Sequence, residues 1–258
     1  MLLTIDVGNT NILFGIFTGQ QLAAHWRIST PKYQTGDELG LAFTGLLSLA
    51  GYSPGQIKAI IFSSVVPALS GPVQRMCLKY FNLEPLAVSA KLDLGLKICY
   101  HNPQEIGADR LATAAAGYHK YGRPLIIVDF GTATTFDVIN AKGEYLGGCI
   151  CPGVNLSAEG LFRHTAKLPR VDVVRPAQVI GQDTVTSMQS GLFYGYVAMA
   201  DGLIGYMEQE LGCRPHVVAT GGLASLVGES SSKIKTIEPW LILEGLRLIY
   251  DRNRPQTA

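Results

Sequence analysis

The chain lacks the features of several protein classes. Its 21 Lys and Arg residues nearly balance its 20 Asp and Glu residues, so no net field attracts nucleic acid or an anionic membrane surface. No apolar run approaches the ~18 residues of a membrane-spanning helix. The first residues also lack the basic segment and apolar stretch of a signal peptide. We therefore expect a cytoplasmic protein with no nucleic-acid and no membrane partner.

Cysteine and charge are both sparse. Five cysteines form an odd count without paired spacing, which favours reduced thiols over a disulfide framework. Charged residues make up 16% and hydrophobic residues 47% of the chain, which leaves apolar surface for a second subunit. The phosphate loop GxxxxGK[ST] is absent, which argues against a P-loop kinase. We therefore expect a homo-oligomer, and an enzyme that is not a P-loop kinase.

A repeated motif is the most informative feature that is present. The segment LTIDVGNT at residues 3–10 returns as IIVDFGTA at residues 126–133. Each apolar run ends in Asp-x-Gly and precedes a second apolar run, which predicts two β-hairpins. One such tip would be an ordinary turn. Two of them favour phosphate binding, because glycine admits close approach and successive N–H groups form a concavity for an anion.

The order of apolar segments predicts an α/β fold with helices covering the sheets. The 258 residues accommodate two domains of ordinary size, which we place at residues 1–118 and 119–258. Helices are expected over residues 37–50, 69–81, 181–211 and 240–250.

Several motifs together resemble one family. The repeated hairpins and the late Thr220-Gly221-Gly222 resemble the actin-like ATPase and sugar kinase superfamily. A more specific set is, in chain order, DVGNTN at 6–11, GADR at 107–110, DFGTATT at 129–135, Pro152-Gly153 and TAKLP at 165–169. This set is similar to type III pantothenate kinases, of the actin-like ATPase and sugar kinase superfamily, over nearly the whole chain. The resemblance implies two ribonuclease-H-like domains, each a mixed sheet flanked by helices. It also implies ATP-dependent phosphorylation of pantothenate to 4'-phosphopantothenate, the first step of coenzyme A synthesis, by a homodimer.

The resemblance implies which residues bind ATP and ions. The ATP-binding set is Asp6, Val7, Gly8, Asn9, Thr10, Asn11, Ile12 and Leu13 from the first hairpin and Thr132 from the second. Asp6 would hold or orient the Mg²⁺ of the ATP complex through water, since that ion keeps several waters. Asp129 would bind a monovalent cation, K⁺ or NH₄⁺. From the residues alone, Asp129 is equally a turn residue bonded to its own backbone.

The resemblance also implies a pantothenate site. Its residues are Tyr100, Gly107, Ala108, Asp109, Arg110 and Thr184, the last supplied by the partner subunit. Asp109 would be the general base for the substrate hydroxyl, and Arg110 would pair with the substrate carboxylate.

Each of these side chains has a structural alternative. Asp109 is also a competent helix N-cap or salt-bridge partner, and Thr184 follows a helix-start signal. Arg110 could be an exposed helix cation. Tyr100 could be a packed residue at a strand end.

Two other functions stay open from the sequence. One is a related small-molecule kinase or phosphohydrolase, from which segment 107–110, Tyr100 and Thr184 separate this chain. The other is a nucleotide-binding regulatory protein without kinase activity, against which the presence of Asp109 argues.

Overall fold

The structure, a computed structural model, describes residues 1–31, 33–122 and 124–254. Its α-helices are α1 (Gly36–Leu49), α2 (Pro67–Met76), α3 (Ala108–Tyr121), α4 (Val154–Arg163), α5 (Thr184–Leu211), α6 (Ala224–Gly228) and α7 (Leu241–Asn253). Its strands are β1 (Leu2–Val7), β2 (Asn11–Thr18), β3 (Gln21–Ser29), β4 (Ala59–Ser64), β5 (Leu86–Ala87), β6 (Lys97–Ile98), β7 (Leu125–Phe130), β8 (Ala133–Ile139), β9 (Glu144–Pro152), β10 (His216–Thr220) and β11 (Thr236–Ile237). Short 3₁₀ turns lie at Pro54–Gln56 and Pro103–Glu105, and a π-helical turn at Cys77–Phe81 follows α2.

The chain divides into two compact units. Unit 1 comprises Met1–His119 together with the segment that begins at Leu241, and unit 2 comprises Lys120–Trp240. Unit 2 is therefore continuous in sequence, whereas unit 1 is assembled from two separate stretches.

The sheet of unit 1 has the strand order β3-β2-β1-β4-β5. β1, β2 and β3 form an antiparallel meander, and β4 and β5 continue the sheet in parallel with β1. β1 is buried along nearly its whole length, as its unbroken apolar run indicates. The rings of Phe14 on β2 and Phe43 on α1 stack with centroids 3.9 Å apart, which joins the sheet to its helical cover.

Five strands of unit 2 repeat this arrangement. β7, β8 and β9 form the antiparallel meander, and β10 and β11 run parallel to β7 in the order β11-β10-β7-β8-β9. The position of each strand matches that of its counterpart in unit 1. The predicted hairpins and the α/β class with two mixed sheets are thus confirmed.

The C-terminal helix corrects the expected domain division. The sequence-based division places residues 241–254 in the second domain, but α7 packs on β1, β4 and α3 of unit 1. Leu241, Leu243, Leu246 and Ile249 are fully buried there. Burial of this apolar face, which sequence order does not reveal, decides the location of the helix.

Helix α5 also begins later than expected. Asp183 is the N-cap, and its Oδ1 accepts a hydrogen bond from Thr186 N at 2.8 Å. That capping bond ends the preceding extended segment, so the helix starts at Thr184 rather than at residue 181. Within the described ranges, no helix is long and apolar enough to cross a membrane.

Candidate active site

The tip of the first hairpin is a three-residue loop, Gly8 to Thr10, between β1 and β2. Gly8 N donates to Asn11 O at 3.0 Å, and Thr30 donates its N–H to Thr10 O and its hydroxyl to Gly8 O at 2.9 and 2.7 Å. A Cβ on Gly8 would lie 3.1 Å from Asn11 O, so glycine suits this tight turn. The side chains of Asn9 and Thr10 are exposed. The loop is held in place and presents an amide and a hydroxyl at its surface.

Three of the expected ATP-binding residues contribute only backbone to this surface. Val7 and Ile12 are fully buried and Leu13 is 7% exposed, because their side chains point into the interior of unit 1. Any contact between these residues and a nucleotide therefore involves main-chain atoms.

Asp6 lies at the end of β1 and is oriented by a residue that the sequence interpretation missed. Ser63 faces Asp6 in the parallel pairing of β1 with β4, and Ser63 Oγ donates to Asp6 Oδ1 at 2.7 Å. Ser63 is fully buried, so this hydroxyl is dedicated to the carboxylate. The available signal was a hydroxyl residue at the end of the apolar run that forms β4. The bond fixes the rotamer of a carboxylate at the carboxyl end of a parallel strand pair.

Asp109 lies in the first turn of α3. Its Oδ1 accepts from Arg110 N at 2.8 Å, and Thr113 Oγ1 donates to Asp109 O at 3.2 Å. Burial raises the pKa of the Asp109 carboxyl above its usual value, and the Arg110 N–H and the Arg110 charge oppose that rise. Because α3 begins at Ala108, Asp109 is inside the helix rather than at its N-cap.

Arg110 is not the exposed helix cation of the structural alternative, since it is only 9% exposed. Burial of a guanidinium costs free energy unless other groups interact with it. The buried position of Arg110 therefore indicates a structural or a ligand-binding role. Tyr100 and Ala108 of the same predicted site are half-buried.

Gly107 explains how the start of α3 approaches β4. A Cβ on Gly107 would come within 3.0 Å of Asp109 Oδ1 and would lie 3.5 Å from Val65 Cγ1. Val65 follows β4 and its N–H donates to Val7 O at 3.1 Å. The Gly107–Asp109 segment is therefore next to the carboxyl ends of β1 and β4, where ligands bind in α/β sheets.

The second hairpin tip repeats the first in unit 2. Gly131 N donates to Ala133 O and Gly153 N donates to Thr132 O, both at 3.1 Å, while the Thr132 side chain is exposed. The two bonds fix the tip and place Thr132 at its surface.

Asp129 is the counterpart of Asp6, and its carboxylate lies between two glycines. A Cβ on Gly131 would be 3.2 Å from Asp129 Oδ1, and one on Gly221 would come within 3.0 Å of the same oxygen. Gly221 also has φ +94°, which favours glycine. The carboxylate can lie here only because both residues lack a side chain.

The counterpart of Ser63 makes a different contact. Thr220 is next to Asp129 in the pairing of β10 with β7, but Thr220 Oγ1 donates to Glu238 O at 2.7 Å. The two carboxylates therefore differ in their surroundings, one bonded to a serine hydroxyl and one cradled by glycines.

The carboxylate oxygens near the two hairpin tips are suitable ligands for hard cations, but neither tip has enough of them to surround a cation. Among the described residues, no three His, Cys, Asp or Glu side chains form a metal-binding group. Single carboxylates at Asp6 and Asp129 fit ions that take their other oxygens from water, main chain or a phosphorylated ligand.

Thr184 belongs to unit 2, whereas the other predicted pantothenate-binding residues belong to unit 1. It is exposed as the first residue of α5 and lines a pocket of about 1050 Å³ with Ser157, His164, Leu168 and Tyr196. Gly181 packs beneath that first turn, where a Cβ would come within 3.0 Å of Ser187 N. Glycine at position 181 thus lets the extended segment lie against the first turn of α5, which carries Thr184.

Comparison with known proteins gives one consistent result. A family model described as type III pantothenate kinase matches residues 2–205. The chain is 53% identical over 254 residues to the type III pantothenate kinase of Geobacter sulfurreducens, covering 98% of this chain and 100% of the relative. It is 50% identical to that of Myxococcus xanthus, with 98% and 99% covered. A ROK family glucokinase from Streptomyces griseus, solved with glucose and AMPPNP, superposes with TM-score 0.52 at 11% identity, covering 96% and 98%, a likeness of fold alone.

Proposed function

This chain belongs to the type III pantothenate kinase family, and we propose that it transfers the γ-phosphoryl group of ATP to the primary hydroxyl of pantothenate. The observation that carries the chemistry is the Asp109 carboxylate. It is desolvated on the first turn of α3, adjacent to buried Arg110 and beside the strand ends that hold Asp6. The product is 4'-phosphopantothenate, the first intermediate of coenzyme A synthesis.

The reaction needs a proton acceptor and a fixed geometry. As the substrate oxygen bonds to the γ-phosphorus, the bond from that phosphorus to the bridging oxygen of ADP breaks and the hydroxyl proton passes to Asp109. A raised carboxyl pKa makes Asp109 a better acceptor for that proton than a fully solvated aspartate. Arg110 is the candidate partner for the substrate carboxylate, because a guanidinium forms paired bonds with that group.

The hairpin tips are proposed to bind the phosphates. Main-chain N–H groups and the exposed side chains of Asn9, Thr10 and Thr132 supply uncharged donors. Asp6, held by Ser63, would orient the Mg²⁺ of the ATP complex through water. When bound, that ion neutralises charge on the transferred group.

Asp129 is proposed to bind the monovalent cation, K⁺ or NH₄⁺. Support comes from the position of its carboxylate at the carboxyl end of β7, where Gly131 and Gly221 let their backbones lie close to Oδ1. If so, replacing K⁺ by Na⁺ should depress activity in the wild type. Asp129→Asn should have low activity with either ion, and a wild type that works equally with both would contradict the assignment.

A homodimer in the cytoplasm is proposed as the working form. Unit 2 exposes large apolar side chains, among them Ile150 at 66%, Ile180 at 82% and Tyr206 at 70%, which suits a face covered by a second copy. The five cysteines are free thiols, which suits a reducing compartment.

Subunit mixing tests whether Thr184 acts from the partner. Asp109→Asn and Thr184→Ala dimers are each expected to be impaired, and a heterodimer of the two would contain one intact site. Random exchange should then restore about a quarter of wild-type activity. No gain on mixing, with exchange verified by mass, would place Thr184 in its own subunit's site or outside the site.

The direct test of the reaction is phosphopantothenate formation by purified protein with ATP, Mg²⁺ and K⁺, followed by mass spectrometry. The Asp109→Asn variant should yield no product above background, and Asp37→Asn, an exposed carboxylate on α1, is the matched control and should be active. ATP binding without product in the wild type would overturn the kinase assignment in favour of a regulatory nucleotide-binding role.

A further inference from the structure

The end of α7 is bonded to a loop that leads into the predicted pantothenate site. Asp93 N donates to Asn253 Oδ1 at 2.9 Å, and Asn253 Nδ2 donates to Asp93 O at 2.8 Å. Asn253 Nδ2 also donates to Ile249 O at 2.8 Å within the helix. A single side chain thus satisfies both main-chain groups of Asp93, as a neighbouring strand would, and is itself anchored to α7.

The next turn of the loop is shaped to fit Arg252. Gly95 has φ +69°, and a Cβ there would lie 2.6 Å from Arg252 Cζ. Gly95 N donates to Asp93 Oδ1 at 2.9 Å, and Arg252 Nη1 lies 3.3 Å from Asp93 Oδ2. Leu94 between them is 4% exposed. The exposed ion pair adds little by itself, so the main-chain bonds and the glycine are what fix the loop.

The same helix also contacts α3, which carries Asp109. A Cβ on Gly245 would come within 3.0 Å of Ala112 O, so the two helix backbones are in direct contact. α7 therefore contacts both flanks of segment 95–112, which contains Tyr100 and Asp109. Between Gly95 and the start of α3 the regular structure is a two-residue strand and a single 3₁₀ turn, so the conformation of this stretch relies on tertiary contacts, those with α7 among them.

We propose that α7 is the template of the pantothenate-binding segment, with Asn253 and Gly95 as positioning residues that act through Tyr100. This inference rests on the proposed function, because it takes Tyr100 to contact pantothenate. Neither residue touches the reacting atoms. Their effect is to limit the conformations of residues 93–100, so that pantothenate does not have to order that segment on binding.

The test compares Asn253→Ala with Asp251→Asn, a change on the same turn of α7 that breaks only the Asp251–Arg247 ion pair. Asn253→Ala removes the two hydrogen bonds to the Asp93 main chain. If their whole free energy is lost from pantothenate binding, the KM for pantothenate rises about tenfold. The KM for ATP should stay within about twofold and kcat should change less than the pantothenate KM. Asp251→Asn should match the wild type in all three.

Hydrogen–deuterium exchange gives a readout that does not depend on turnover. Amides of residues 92–100 should exchange faster in Asn253→Ala, whereas those of β1 should not change. Gly95→Ala, which leaves Asn253 intact, should reproduce both effects. Unchanged exchange at 92–100, or faster exchange with an unchanged pantothenate KM, would overturn the proposal.

Failure of the proposed function gives a different pattern. In that case wild-type protein forms no phosphopantothenate, and Tyr100→Ala has no effect on pantothenate binding by calorimetry. Normal wild-type activity together with a raised KM in Tyr100→Ala but not in Asn253→Ala would reject the positioning role alone.

Discussion

Replacing Ser63 by alanine tests how Asp6 is held. The lost bond is an O–H to carboxylate contact of 2.7 Å from a fully buried hydroxyl. Bonds to charged groups contribute roughly 1.5–3 kcal/mol, but Asp6 is only half-buried and water would replace part of that. We expect a net loss of about 1.5–2 kcal/mol in transition-state stabilisation, or roughly 10–30-fold in kcat/KM for Mg·ATP.

The internal repeat offers a matched control at Thr220. Its hydroxyl is equally buried but donates to the Glu238 carbonyl rather than to a carboxylate. Thr220→Val should therefore lower the unfolding free energy by about 1–2 kcal/mol while kcat/KM stays within about twofold.

The assay for this pair is steady-state kinetics over a range of Mg²⁺ concentrations, together with thermal unfolding of each variant. Ser63→Ala should need more Mg²⁺ for half-maximal rate, and Thr220→Val should not. A Ser63→Ala enzyme with wild-type kinetics would refute the reasoning, as would equal kinetic losses in the two variants at equal stability.

Three further predictions concern single groups. Burial raises the pKa of Asp109 above its ordinary value of 3.8, so folding stability falls as the pH rises from 3.8 through the folded-state pKa and the buried carboxyl ionises. Asp109→Asn, which cannot ionise, should therefore be at least as stable as the wild type at neutral pH, yet inactive. A lower melting temperature of the variant at neutral pH would contradict this. Gly221→Ala should remove activity that no K⁺ concentration restores, since a Cβ at a φ of +94° would collide with Asp129 Oδ1 and displace the carboxylate, and near-normal activity would contradict this close contact. Burial raises the pKa of the Cys77 thiol to about 12, so a thiol reagent at mild alkaline pH should label exposed Cys99 and spare Cys77 in folded protein, as peptide mapping would show.

The features that were predictable from sequence are those encoded locally. The apolar runs and Asp-x-Gly turns at residues 3–10 and 126–133 determine the hairpins, and the two units then adopt the same strand order. Asp109 could be proposed from its motif, but its raised pKa depends on burial by the surrounding fold.

What could not be predicted depends on contacts between distant residues. Ser63 bonds to a carboxylate 57 positions away, and Asn253 bonds to a loop 160 positions away. The same applies to α7, whose amphipathic face fits either domain until the packing is known. No local pattern specifies such partners, because hydroxyl, amide and apolar side chains bind many neighbours equally well.

The split composition of unit 1 has a consequence for synthesis on the ribosome. Unit 2 is continuous and can fold once residue 240 has emerged, but the sheet of unit 1 is left without α7 until the last residues of the described chain are made. At ribosomal rates the stretch from residue 120 to 240 takes on the order of ten seconds to translate. During that interval the nascent chain exposes the apolar surface that Leu243 and Leu246 later cover, so the core of unit 1 can be completed only after all of unit 2 has been translated.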